Sequence, residues 1–194
     1  MINKKAFASM RKEIEVFDSL REDLIKTSRD LLKLSKAAIY SIHRQKISEA
    51  NNQLKKAKAV IKKLKALIKK NSSLATVGAY SEAMEEYVEA ACYYGFIKQN
   101  KLPTAKELGV GTIVYLQGLC DLVGELVRKA INSSIDGDFK TALKVKKFVT
   151  DVHEELMMFD FRNIPVRRKF DSIKYGLNKL ENLILELKLK NKIK

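Results

Sequence analysis

The sequence has no tryptophan and, among 194 residues, only two cysteines, two histidines and two prolines. Cys92 and Cys120 form no CxxC pair and are too few for a disulfide framework, so reduced thiols in a cytoplasmic setting are expected. His43 and His153 follow Tyr40 and Thr150 by three positions. That spacing excludes the Glu-x-x-His pairs of a di-iron bundle, and no Ser/His or Cys/His nucleophile system is supported. Both histidines read as surface or core residues, not as ligands. No apolar run reaches 18 residues and the start, MINKKAFASMRK, lacks an apolar stretch, so neither a membrane span nor a signal peptide is expected. No segment alternates with period two for long enough to be a strand.

What is abundant is lysine, leucine, isoleucine, alanine and glutamate. Hydrophobic residues make up 46%, which argues for a packed core, and 8 glycines leave few breaks. The net charge is +15 and the pI about 9.7. Such an excess favours an acidic partner, nucleic acid before membrane, although Lys/Glu-rich composition also accompanies high growth temperature.

Apolar residues recur at a 3–4 spacing over most of the chain. A first helix is predicted from about Asn3 to Ile47, with Phe7, Met10, Ile14, Phe17, Leu24, Leu31, Ala38 and Ile42 on its seam and Arg21, Ser28 and Ser35 as polar gaps. A second runs from about Ser48 to Lys70, with eight lysines opposite its apolar face. NSSLAT interrupts the chain, and a third helix reaches about Gln99. Lys101–Val110, containing Pro103 and Gly109, reads as a loop or one short turn. A fourth covers Val114 to about Ser134. Asp136 or Asp138 then caps a fifth ending near Phe161. Pro165 lies early in a sixth, whose Phe170, Ile173, Leu177, Leu180, Ile184 and Leu187 keep the heptad. The expected fold is a single all-α domain, a bundle of six or seven long helices with apolar seams left over for self-association.

Two helices carry acids where apolar residues dominate. Glu82, Glu86 and Glu89 line one face of the third, with Glu85 at its border. In VYLQGLCDLVGELVRKAIN, Asp121 and Glu125 stack with Gln117 and Arg128 into one polar stripe. Antiparallel packing would bring the pair Glu86/Glu89 opposite the pair Asp121/Glu125. Four crowded carboxylates must be protonated or neutralised, and a hard divalent cation neutralises them well. The same spacings also occur on solvated helices, where Glu125 would simply pair with Arg128 or Lys129. On the first helix Lys26, Arg29, Lys33, Lys36 and Arg44 occupy about a quarter of the circumference, with Tyr40 in the same band. This is either a phosphate-binding rail with a stacking aromatic or a solvated face.

REDLIKTSRDLLKLSKAAIYSIHR, EEYVEAACYYGFIK, GLCDLVGELVRKAINSSIDGDF and RRKFDSIKYGLNKLENLILELKLK together resemble the translin and translin-associated factor X family, factor X more closely, in a compact, archaeal-type form. The resemblance covers the chain from about Arg21 to its end, and EYVEA and DLVGELVRKAINS carry it most specifically. It implies about seven helices and a hollow oligomer, commonly an octamer, enclosing RNA or single-stranded DNA. It implies Mg²⁺-dependent endoribonuclease activity (Mn²⁺ as a substitute) from Glu86, Glu89, Asp121 and Glu125, and nucleic-acid binding by Lys26, Arg29, Lys33 and Lys36. The full acidic set points to a self-sufficient homo-oligomer. The alternatives are a translin-like single-strand binder without catalysis, a scaffold with neither activity, and an all-α nucleotide pyrophosphohydrolase. The last is weakened because its second motif is usually ExxD, where this chain has DxxxE.

Overall fold

The computed structural model describes residues 2–162 and 164–193, and all regular structure among them is helical. The elements are α1 (Lys4–His43), α2 (Ile47–Lys70), a 3₁₀ turn (Ser72–Thr76), α3 (Gly78–Gln99), the four-residue α4 (Ala105–Leu108), α5 (Thr112–Ile135), α6 (Phe139–Met157) and α7 (Val166–Leu189). The six long helices are the six expected, and α4 is the seventh. It forms because Thr104 and Glu107 cap one another: the Glu107 amide donates to Thr104 Oγ1 at 3.2 Å, and Thr104 N–H donates to the Glu107 carboxylate at 2.7 Å. Gly109, at φ +66°, ends it in the left-handed region.

Two boundaries fall short of the sequence expectation. α1 stops at His43 because Gln45 turns to φ +60°. α6 stops at Met157, before the expected Phe161, so that the chain can turn and bury Phe161 against Phe170, 5.4 Å between rings. Of the two candidate caps for α6, Asp138 takes the role, accepting from the Thr141 amide at 3.1 Å. Pro165 immediately precedes α7.

α1 packs along α2 and α3, α3 along α5, and α5 against α6 and α7, which also touch each other. α3 and α5 are therefore the two inner rods. α3 buries residues on most of its circumference, from Ala83 and Met84 through Tyr87, Val88, Cys92 and Tyr93 to Phe96, the pattern of a helix without a broad solvent face. The seam of α1 divides in two. From Leu24 onward it is buried, Ser28 and Ser35 included. Before Leu24 none of its residues is buried, and Phe7, Met10, Ile14 and Val16 are each at least 50% exposed.

Gly118 sets the spacing of the inner pair. A β-carbon there would lie 2.6 Å from the Glu85 carbonyl oxygen and 2.7 Å from Val88 Cβ. Because there is none, the α5 backbone rests directly on α3. Neighbours run in opposite order along the two helices, Tyr115 near Cys92 and Gly118 against Glu85 and Val88. The helices are antiparallel, as the acidic pairs require.

Candidate active site

The close crossing of α3 and α5 decides where their acids go. Glu86 and Glu89 from α3 and Glu125 and Arg128 from α5 line a cleft of about 370 Å³, whose other wall is Lys36, Ile39, Tyr40 and His43 of α1. Asp121, one turn before Glu125, lies at its edge, close enough to raise the proton affinity of both Glu86 and Glu89. All four acids singled out in the sequence thus share one neighbourhood.

Their surroundings differ. Glu89 is buried, 8% exposed, and makes no hydrogen bond among the described residues. Burial, then the charges of Glu86, Asp121 and Glu125, push its carboxyl up to about 8. Glu86 shifts the same way, chiefly by burial, with Lys36 opposing. Asp121 bonds the Lys169 ammonium, which reaches over from α7 and also donates to Glu85 at 2.9 Å. One cation shared by two carboxylates does not offset burial fully, so the Asp121 carboxyl still lies above its ordinary range. Glu125 goes the other way. Its hydrogen bond to His43 Nε2 holds it below the usual range despite burial. His43 Nδ1 faces the hydroxyl of the buried Tyr93 at 3.3 Å. With Nε2–H donated to Glu125, Nδ1 accepts from Tyr93, and the ring is fixed at both nitrogens.

His43 is therefore a correction to the sequence reading, which treats it as an ordinary surface or core residue. It belongs to the acidic cleft. A signal for this exists in the chain: Lys36, Tyr40 and His43 follow one another at i, i+4, i+7, so the histidine continues the basic stripe. His153 conforms to the packing reading, stacked 5.4 Å from Phe170. Lys169 carries no sequence signal at all, because only the return of α7 brings it to Asp121.

Among the described residues, no three His, Cys, Asp or Glu side chains converge tightly enough to grip an ion. Asp121 is engaged by Lys169, and Glu125 by His43. The donor chemistry nevertheless suits a hard cation, with four carboxylates of which two, Glu86 and Glu89, make no hydrogen bond or ion pair among the described residues, Glu89 being the more buried. Of the basic residues, Lys36 lines the cleft, while Lys26, Arg29 and Lys33 are exposed along α1 and lead up to it over about 15 Å of helix. Tyr40 is 58% exposed beneath the Arg44 guanidinium, 5.4 Å from the ring centre.

The model of the Translin family matches residues 19–191. The chain belongs to the Translin family. An uncharacterised protein of Methanocaldococcus jannaschii is 32% identical over 91% of this chain and 82% of its own length. Translin-associated protein X of Rattus norvegicus is 25% identical over 95% of this chain and 78% of its own. Among solved structures, the AfC3PO–duplex RNA complex superposes with a TM-score of 0.87 at 28% identity, covering 95% of this chain and 97% of that one. Apo-NeC3PO gives 0.86 at 29% identity over the same shares. The Translin match begins at residue 19, so the exposed apolar turns around Phe7, Met10 and Ile14 precede it.

The raised carboxyl of Glu89 has a measurable consequence. Unfolded, the group ionises at its ordinary 4.5; folded, at about 8. Between these values the folded state holds a proton that the unfolded state has lost, so stability falls as pH rises through the window. The fall is on the order of 5 kcal/mol. Glu86 and Asp121 act in the same direction, and Glu125, with its lowered carboxyl, opposes them below about 4.5. In metal-free buffer, urea midpoints from pH 5 to 8.5 should decline for the parent chain and decline much less for Glu89→Gln, which cannot ionise. Identical slopes would show that Glu89 does not retain its proton.

Proposed function

We propose that this chain binds RNA and cleaves it as a divalent-metal-dependent endoribonuclease, acting on short or single-stranded RNA within an oligomeric shell. The observation that carries the reading is the continuity between rail and cleft: exposed cations on α1 end at Lys36 and Tyr40, where the carboxylates of α3 and α5 begin. The similarity to a chain solved with duplex RNA supports RNA as the polyanion.

Lys26, Arg29 and Lys33 would hold successive phosphates, and Tyr40 presents a ring face to a base. Lys36 and Arg128 stand beside the acids and would orient the phosphate to be cut. Glu86, Glu89, Asp121 and Glu125 would hold Mg²⁺ or Mn²⁺, which would supply a polarised water and neutralise charge on the phosphate. His43 and Tyr93 fix the direction of Glu125, and Lys169 balances Asp121 and Glu85 while the site is at rest. The exposed apolar face of α1 before Leu24 supports self-association of the chain.

A labelled short RNA should be cut internally by the parent chain with Mg²⁺ and remain whole with a chelator, while light scattering on the same samples reports a closed homo-oligomer, an octamer in the fullest form of the proposal. A second reading, RNA binding without cleavage, is favoured by the engagement of Asp121 with Lys169 and of Glu125 with His43 within the protein, and intact RNA with both Mg²⁺ and Mn²⁺ would establish it. Binding itself should be salt-sensitive. Replacing Lys33 and Lys36 by alanine is expected to lower the slope of log K against log salt by roughly 1.4, about 0.7 for each single-strand phosphate left without its lysine. An unchanged slope would remove α1 from the interface.

A further inference from the structure

Across α3 from the acids lies a second cavity. At 100° per residue, Glu82, Glu86, Glu89 and Tyr93 centre about 140° round the helix from Tyr87, Ala91 and Tyr94. The latter three line a groove of about 220 Å³ closed by α2 and by the segment around α4. Its wall is apolar at Leu54, Ala91, Leu102 and Leu108. Its rim is basic, with Lys55 and Lys58 of α2 and Lys101.

Two features mark this as more than a surface dent. Tyr87 is 1% exposed and lines the cavity, and its hydroxyl makes no hydrogen bond among the described residues. A buried phenol normally finds a partner. The rim cations also make no close ion pair among the described residues, although the charge of Lys101 is felt by Glu107. Among the described residues the one hydrogen bond from an α2 lysine side chain is Lys65 Nζ to the Gly109 carbonyl, 2.7 Å, and Lys101 has none. Glu107, the only acid lining the groove among the described residues, is turned back onto Thr104 at 2.7 and 2.9 Å in the α4 cap. The rim continues along α2 as Lys55, Lys58, Lys62, Lys65 and Lys69, alternating three and four residues apart on a single stripe.

We propose that this groove binds a nucleoside 5′-phosphate, either free or as the phosphorylated end of an RNA strand. The apolar wall takes the flat base, the Tyr87 hydroxyl meets a polar edge of the nucleoside, and Lys55, Lys58 and Lys101 take the phosphate. The volume of about 220 Å³, below the usual range of ligand pockets, limits the occupant to a single nucleotide at most, its phosphate held outside at the rim. An RNA end seated here would have its next phosphates along the α2 stripe. Only this second source leans on the RNA-binding reading above; the groove itself is separate from the acidic cleft.

Calorimetry of the full chain with adenosine 5′-monophosphate, adenosine and inorganic phosphate, all with chelator present, tests the site. Adenosine 5′-monophosphate should bind once per chain, with adenosine and phosphate each at least about tenfold weaker. Lys58→Ala with Lys101→Ala, both at exposed positions, should weaken it about tenfold, and Tyr87→Phe about threefold. Glu89→Gln should leave it unchanged, so that loss of the nuclease reading would not carry this one with it. In a parallel arm, 5′-phosphorylated and 5′-hydroxyl versions of one short RNA are compared. A preference for the phosphorylated end that disappears in the double lysine variant identifies RNA ends as the source, and mononucleotide binding without that preference identifies the free nucleotide. Absence of both, or mononucleotide binding equally tight in the lysine and Tyr87 variants, overturns the proposal.

Discussion

Glu89→Gln is expected to reduce RNA cleavage by at least about a hundredfold while leaving RNA affinity within about twofold. The reasoning rests on what Glu89 does not do. It bonds to nothing among the described residues, it is buried between Glu86, Asp121 and Glu125, and it holds its proton up to about pH 8. Glutamine keeps its shape and removes only the capacity to become a carboxylate when a cation arrives. No hydrogen bond of the fold is broken, and in metal-free buffer near pH 8 the variant gains stability. The other acids give less clean answers. Glu125→Ala strips the partner from His43, and Asp121→Ala leaves Lys169 with Glu85 alone, so each confounds chemistry with rearrangement of a half-buried pair. Cleavage at the parent rate by Glu89→Gln would end the assignment of this cleft as the catalytic centre. Disappearance of cleavage together with RNA binding would mean that the acid shapes the binding surface instead.

The second large effect belongs to a residue with no side chain. Gly118→Val should lower the stability of the chain by about 3 kcal/mol or more, with Gly118→Ala between it and the parent. Already the first added carbon would stand 2.6 Å from the Glu85 carbonyl oxygen and 2.7 Å from Val88 Cβ, and two inner helices would have to part to admit it. Closely packed interiors do not yield by that much without cost. Because Glu85, Glu86 and Glu89 ride on one of those helices and Asp121 and Glu125 on the other, separating them also opens the distance between the acidic pairs. Cleavage should therefore fall in the alanine variant by more than its folded fraction accounts for. Urea midpoints and single-turnover rates measured on the same preparation test both parts. An unchanged midpoint for the valine variant would mean that the helices do not touch at this point.

Both predictions show where sequence reading reaches and where it ends. The 3–4 recurrence of apolar residues, with so few prolines and glycines, fixes six long helices, since each apolar stripe must find a neighbour to cover it. Acids at i, i+3 on α3 and at i, i+4 on α5 are visible as pairs for the same reason: helical spacing alone puts them on one side of their own rod. The α1 cations form one band in the same way. None of that spacing says which rod lies beside which. His43 looks ordinary in the sequence because its partners are remote in the chain, Tyr93 fifty residues and Glu125 eighty-two residues away. The four-residue α4, inside a stretch that reads as a loop or one short turn, depends on a reciprocal cap between Thr104 and Glu107.

Local periodicity thus determined the helices, the placement of the acids on two of them and the excess of positive charge, because these follow from the geometry of a single helix and from counting. The tertiary structure decided that Gly118 lets α3 and α5 close together, that Lys169 and His43 divide the acids between them, and that Tyr87 faces a groove away from the cleft. Those outcomes depend on which surfaces meet across the bundle, and desolvation and ion pairing act only once they have met.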